Sequence, residues 1–192
     1  MMTSSHESSL QDVSVIGLGT MGHAIAQTFA VAGHSVTAYD SSPAACGNAL
    51  DRIRVNLKQM VNAQLLQEET MADVLTRITI CDTERDAVKN TRIVTEAIAE
   101  DLELKQEIFA RLENQVSRNT IMASNTSSFP VTQIAKHMQH PDRAIVTHWF
   151  NPPHIIPVVE IVPGEKTTDQ TSDTIYHLLE NAGKLPVLLN QE

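Results

Sequence analysis

Asp12-Val13-Ser14-Val15-Ile16-Gly17-Leu18-Gly19-Thr20-Met21-Gly22 is the stretch that decides the fold of this 192-residue chain. Five β-favouring residues run straight into a G-x-G-x-x-G. Residues 20–32 then have helical spacing, with Met21, Ala24, Ile25, Thr28, Phe29 and Ala32 on one side, and Gly33 ends the run. Residues 35–39 alternate as a second strand and stop at Asp40. A strand, a turn, a helix and a strand of about 30 residues make one βαβ unit.

The glycines have separate physical jobs. Gly17 permits the tight turn, Gly19 lets backbone approach a pyrophosphate, and Gly22 allows close packing of helix on strand. The helix that starts beside Thr20 and Met21 aims free N–H groups and its positive end at phosphates. Asp40 falls 18 residues after Gly22. A carboxylate there accepts hydrogen bonds from ribose hydroxyls and repels a 2′-phosphate. No arginine follows among Ser41, Ser42 and Pro43. The turn therefore predicts NAD rather than NADP. The same residues also fit a plain turn with Asp40 as a helix cap, and only the full strand–turn–helix–strand–acid order argues for the cofactor.

Working outward, helices are expected at residues 43 to about 66, 68–75, 101–116, 131–138 and 168–182, with a short helix or turn at 82–89. In 101–116 the spacing of Leu104, Ile108 and Leu112 carries the prediction. Strands are expected at 78–81, 93–97, 120–123, 144–149 and 157–162, with a further strand after Gly183. Alternating strands and helices predict an α/β fold: a Rossmann-type, doubly wound, mostly parallel sheet. The expected organisation is a flexible tail at 1–10 and a single NAD-binding domain at 11–192. The abrupt stop at Gln191-Glu192 reads as a domain cut from something longer.

Composition narrows the partners. The net charge of −9 argues against nucleic acid and against anionic membrane surfaces, which need a basic face. No apolar run reaches the ~18–20 residues of a membrane span, and the polar start lacks a secretion signal's apolar core. Cys46 and Cys81 form no CxxC or Cys/His cluster, so no metal is expected and a cytoplasmic setting fits. Both are expected to pack as small buried hydrophobes.

A second polar constellation follows the later strands: Ser124-Asn125-Thr126-Ser127-Ser128, His148-Trp149-Phe150-Asn151-Pro152-Pro153, and Glu160. Ligands of open α/β sheets lie at the carboxyl ends of strands. His148 at such an end reaches a substrate, and Glu160 on the next strand can hold its other ring nitrogen. A carboxylate-held imidazole is a suitable general base near neutral pH. A packing histidine and a solvated glutamate fit these residue types equally well.

These motifs resemble the L-3-hydroxyacyl-CoA dehydrogenases over residues 12–189. The resemblance rests on the glycine turn with Ala24-Ile25-Ala26-Gln27, on Glu96-Ala97-Ile98-Ala99-Glu100, on the Ser124–Ser128 segment, on His148-Trp149-Phe150-Asn151-Pro152, and on Gly183-Lys184-Leu185-Pro186-Val187. It implies that His148 is the catalytic base, Glu160 its carboxylate partner, and Ser127 the hydroxyl that contacts substrate near the reacting carbon. It implies that Glu100 and Lys105 lie near the nicotinamide ribose, that Asn125 and Asn151 lie at the cofactor site, and that Asp40 holds the adenosine ribose.

The family continues into a helical second domain, absent here, that supplies dimer contacts, part of the acyl pocket and a catalytic asparagine. A homodimer through that domain is implied, and this chain by itself is expected to bind cofactor and turn over poorly. The helix after Asp40 offers Arg52, Arg54 and Lys58 where the family often carries lysines toward CoA phosphates. Asn151-Pro152-Pro153-His154-Ile155-Ile156-Pro157 is similar to relatives that oxidise free hydroxy acids, such as carnitine and gulonate dehydrogenases and the lambda-crystallins. The expected substrate is thus an acyl-CoA or a free hydroxy acid, with a non-catalytic, crystallin-like NAD-binding protein as the third reading.

Overall fold

The computed structural model describes residues 12–192, so the tail expected at 1–10 lies outside the described residues. Eight strands form one sheet: β1 (Asp12–Ile16), β2 (Ser35–Tyr39), β3 (Ile78–Ile80), β4 (Ile93–Glu96), β5 (Ile121–Ser124), β6 (Ala144–Trp149), β7 (Val158–Pro163) and β8 (Leu185–Leu188). Their spatial order is β3-β2-β1-β4-β5-β6-β7-β8. The pairings from β3 through to β6 are parallel, β7 runs antiparallel to β6, and β8 is parallel to β7. The mostly parallel, doubly wound sheet expected from the sequence is present. Its strand order reverses between β1 and β4, where open α/β sheets form their ligand crevice.

Among the described residues, seven α-helices cover the two faces: α1 (Gly22–Val31), α2 (Pro43–Asn62), α3 (Met71–Thr76), α4 (Glu84–Val88), α5 (Leu102–Glu113), α6 (Val131–Ile134) and α7 (Asp169–Asn181). The central strands are apolar on both sides because both sides are covered. Val15, Ile93 and Ile145 pack with Phe29 of α1, Ile53 of α2 and Ile175 of α7. Ile16, Val94 and Met122 pack with Phe109 of α5 and Ile134 of α6. The period-2 alternation along the central strands β1, β4, β5 and β6 divides their residues between these two cores.

Side-chain caps set several helix starts. Ser42 accepts from the Ala45 N–H ahead of α2, with Pro43 at the first position, and Asp101 accepts from the Leu104 N–H at 3.0 Å ahead of α5. Some expectations need correcting. The long helix stops at Asn62 rather than near 66, because Gln64 adopts φ 59°, a left-handed stop with no glycine to announce it. The first helix begins at Gly22, with Met21 at its cap. Leu104 is exposed; the buried stripe of α5 is Lys105, Ile108, Phe109 and Leu112, at helical spacing but beginning with a lysine. Cys46 and Cys81 are half-buried rather than buried. No helix of the described residues is long and apolar enough to cross a membrane.

Candidate active site

The first part of the site is backbone. Gly17 sits at φ +97°, and a Cβ on it would lie 2.6 Å from the Ala97 carbonyl oxygen, where β1 and β4 leave the sheet together. A Cβ on Gly22 would lie 1.7 Å from the Gly17 carbonyl oxygen, so no larger residue starts α1 without breaking the turn. Gly19 differs: a Cβ there meets nothing within 4 Å, so this residue opens onto free space. At the end of β2, Asp40 accepts the Leu18 N–H at 2.6 Å and the Ser42 N–H at 2.8 Å, one on each carboxylate oxygen. Each oxygen keeps a further lone pair for a hydroxyl. A bare glycine face, the orphan N–H groups of a helix start and a part-satisfied carboxylate fit a dinucleotide with free ribose hydroxyls.

The second part is a buried charge network at the ends of β4 and β5. Lys105, 1% exposed, reaches from the first turn of α5 to Glu96, 0% exposed, at 2.8 Å. It also meets Glu100 at 3.2 Å. Glu96 further accepts the Ser124 hydroxyl at 2.6 Å and the Ile98 N–H at 2.8 Å. Glu100 gathers the turn after β5, accepting from the Thr126 hydroxyl and from the N–H groups of Ser127 and Ser128. Burial pushes the Glu100 carboxyl up, but the Thr126 hydroxyl, the Lys105 charge and the Ser127 N–H outweigh it and hold it below the usual carboxylate range.

The third part is the histidine. His148 on β6 and Glu160 on β7 are directly opposed across the antiparallel pair. Their side chains meet with Nδ1 2.9 Å from a Glu160 oxygen. On the other side, Nε2 lies 3.1 Å from the Ser127 hydroxyl. With the carboxylate accepting from Nδ1–H, Nε2 carries the lone pair, a tautomer assigned from the hydrogen bonds. The three side chains open onto a cleft of about 290 Å³ that Phe129, Val146 and Val162 also line. The Phe150 ring lies 4.7 Å from the imidazole, centroid to centroid.

The structure thus brings Ser127, His148 and Glu160 into one chain of hydrogen bonds, with Glu100 and Lys105 behind Ser127. Gly17, Gly19, Thr20, Met21, Gly22 and Asp40 form the separate turn at β1. Asn125 is turned inward, and its side-chain oxygen accepts the Trp149 N–H at 3.0 Å. Asn151 is exposed on the loop from β6 to β7. The sequence reading assigned no role to Glu96, Ser124 or Thr126. The missed signal is Glu96 itself, a carboxylate closing the buried strand β4, with Lys105 nine residues on to meet it. Of the basic residues on α2, Arg52 donates to the Leu18 carbonyl at 3.0 Å, Arg54 pairs with Asp51, and Lys58 is exposed.

Comparison with known proteins agrees with this geometry. The family model described as 3-hydroxyacyl-CoA dehydrogenase, NAD binding domain, matches residues 12–192. The chain is 36% identical to the 5-formyl-3-hydroxy-2-methylpyridine 4-carboxylate 5-dehydrogenase of Mesorhizobium japonicum, across 95% of this chain and 58% of that protein. It is 34% identical to the 3-hydroxybutyryl-CoA dehydrogenase of Clostridioides difficile, across 91% of this chain and 62% of that one. The crystal structure of (S)-3-hydroxybutyryl-CoA dehydrogenase from Ralstonia eutropha superposes with a TM-score of 0.90 at 35% identity, covering 96% of this chain and 65% of that chain. The chain spans about three fifths of the length of these curated relatives. With a glycine turn fitted to a dinucleotide and the family match running through every described residue, the chain belongs to the NAD-binding domains of the 3-hydroxyacyl-CoA dehydrogenases, and its cofactor is NAD.

Proposed function

We propose that residues 11–192 are the cofactor-binding half of a dehydrogenase that oxidises the 3-hydroxyl of an acyl-CoA thioester to a ketone. The observation that carries this reading is the Ser127–His148–Glu160 chain of hydrogen bonds beside an open cleft. The glycine turn, with Thr20 and Met21, holds the pyrophosphate, and Asp40 takes the adenosine ribose hydroxyls. Glu100 and Lys105, with Asn125 and Asn151, border the nicotinamide end. Bound there, NAD supplies the hydride acceptor.

The chain's own residues handle the proton. Nε2 of His148 accepts the proton of the substrate hydroxyl, and Ser127 orients that hydroxyl toward it. Glu160 keeps the ring in the accepting tautomer and stabilises the imidazolium that forms. Dimer contacts and part of the acyl pocket are expected in the additional length of the relatives.

One observation favours a second reading, a free hydroxy acid. On α2, Arg52 and Arg54 are engaged within the protein, which leaves few cations for CoA phosphates. The M. japonicum relative is also named for a pyridine carboxylate. A non-catalytic NAD-binding role is disfavoured because the three side chains are assembled at hydrogen-bonding distance. NADH oxidation by the full-length protein, with acetoacetyl-CoA and free acetoacetate in parallel, separates these readings. Turnover of the thioester supports the leading one, turnover of the acid alone the second, and turnover of neither the third. In the active protein, His148→Gln is expected to lower turnover by ~10²–10⁴-fold while NADH affinity holds. Full activity in that variant removes the assignment.

A further inference from the structure

The Gly183-Lys184-Leu185-Pro186-Val187 motif has so far been given no role. Lys184 directly precedes β8 and is 7% exposed. A lysine this buried usually has a carboxylate partner. Here its ammonium donates to the carbonyl of Pro153 at 2.5 Å and to that of Ile156 at 3.0 Å, and sits 5.5 Å from the centroid of the Trp149 ring. Both carbonyls belong to the loop from β6 to β7. Within that loop the N–H groups of Ile155 and Ile156 both turn back to the Pro152 carbonyl. The turn therefore points carbonyls inward, and a cation with several donors satisfies two of them at once.

Packing beside the loop is incomplete. Beside it lies a cavity of about 210 Å³ lined by Gln27, Met60, His154, Ile155 and Lys184. Both ring nitrogens of His154 and the side-chain oxygen of Gln27 are buried there without a hydrogen-bond partner. The residue under this ammonium leads into the site: the Trp149 backbone N–H donates to the Asn125 side-chain oxygen, the indole N–H is buried without a partner, and Asn151 follows two residues later.

We infer that Lys184 is a positioning residue for the nicotinamide end of the cofactor site: its ammonium draws the Pro153 and Ile156 carbonyls against Trp149 and fixes the loop that presents Asn151. The inference rests on the reading of Asn151 given above. Burial lowers the amine to about 8, so the clamp loses its charge within an accessible pH range. The groups facing it are His154 from the loop, the uncharged Gln27 and Thr28 from α1 and Met60 from α2. His154 is itself pushed below the usual histidine range by burial, then by His23 and Lys184.

Trp149 is the sole tryptophan of the sequence, so its emission reports on this ammonium directly. In the unaltered chain, tryptophan emission is expected to titrate once on the alkaline side, with a midpoint near 8. The step should vanish in Lys184→Met, which has no amine, and in Lys184→Arg, whose guanidinium stays charged. Binding supplies the second readout. Lys184→Met is expected to weaken NADH by about ten-fold, the scale of one lost charge-assisted hydrogen bond, and Lys184→Arg by less. ADP-ribose, which lacks the nicotinamide, should bind both variants as it binds the unaltered chain.

Equal weakening of NADH and ADP-ribose in Lys184→Met would show general loosening and overturn the inference. So would unchanged NADH binding, or a tryptophan step that persists in Lys184→Arg. If NADH binds the unaltered chain no more tightly than ADP-ribose, the Asn151 assignment fails and the positioning role with it, and the tryptophan titration still decides whether the clamp exists.

Discussion

The two ends of the crevice are built from different materials. The turn after β1 is made of backbone: three glycines and a helix start within six residues, checked by one carboxylate on the neighbouring strand. The cluster around His148 is made of side chains drawn from β4, α5, the turn after β5, β6 and β7. The backbone site is rigid at Gly17 and Gly22, where an added atom collides with another backbone atom, and open only at Gly19. A side-chain site is rigid only while every charge in it keeps its partner. At Gly17 and Gly22 the first tolerates no change of size, and the second tolerates no change of charge.

Substitutions can break that contrast. The largest effect is expected from Gly22→Ala, whose new methyl would lie 1.7 Å from the Gly17 carbonyl oxygen. A clash that only backbone movement can relieve should cost on the order of 4 kcal/mol or more. Thermal unfolding and NADH titration should both register it, and a native melting curve with intact binding would mean that the turn has slack. Lys105→Met comes next. It keeps the volume and strands Glu96, which is 0% exposed, without its cation. Breaking a buried pair in this way costs about 3–5 kcal/mol. If Lys105→Met and Glu96→Gln together restore most of the stability, the network is about charge balance, as the contrast requires.

Asp40→Ala should have a smaller and more selective effect. Losing charge-assisted bonds to ribose hydroxyls should narrow the preference for NAD over NADP by about ten-fold, measured by competitive titration of the two cofactors. An unchanged preference would move ribose recognition elsewhere. The smallest effect is a pH dependence at Glu100, whose side chain is 39% exposed. Its carboxyl lies below the usual range when folded, so its stabilising contribution is present above the unfolded value and lost as pH falls through the folded one. Melting temperatures compared between about pH 6 and pH 3 should therefore drop more steeply for the unaltered chain than for Glu100→Gln.

The same contrast explains what could be read in advance. The turn at β1 was legible because its logic is local: glycines, a helix and an acid at fixed offsets. His148 and Glu160 could be placed on neighbouring strands within reach of each other, but their residue types fitted a packing histidine and a solvated glutamate equally well until a family resemblance favoured the pair. The register of β6 against β7 then supplies the physical reason they meet. Lys105 was named only through the resemblance, beside Glu100, and its contact with Glu96 was hidden because charged residues read as surface and a buried pair becomes visible only when both ends are seen together. Leu104 failed in the opposite sense, as an apolar residue at helical spacing that faces outward while Lys105 turns in. The early end of α2 was missed because Gln64 takes a left-handed turn that sequence associates with glycine or asparagine.

The antiparallel pairing of β6 with β7 has a consequence for how such a protein can change. His148 and Glu160 are neighbours by strand register, so the connection between the strands does not set their spacing. The histidine–glutamate pair and the intervening loop are therefore separable units of variation. Side chains of residues 152–157 can be rewritten to suit a different substrate, since Lys184 holds only backbone carbonyls there, while Asn151 keeps its place and the histidine and glutamate stay opposed as long as the strands keep their register.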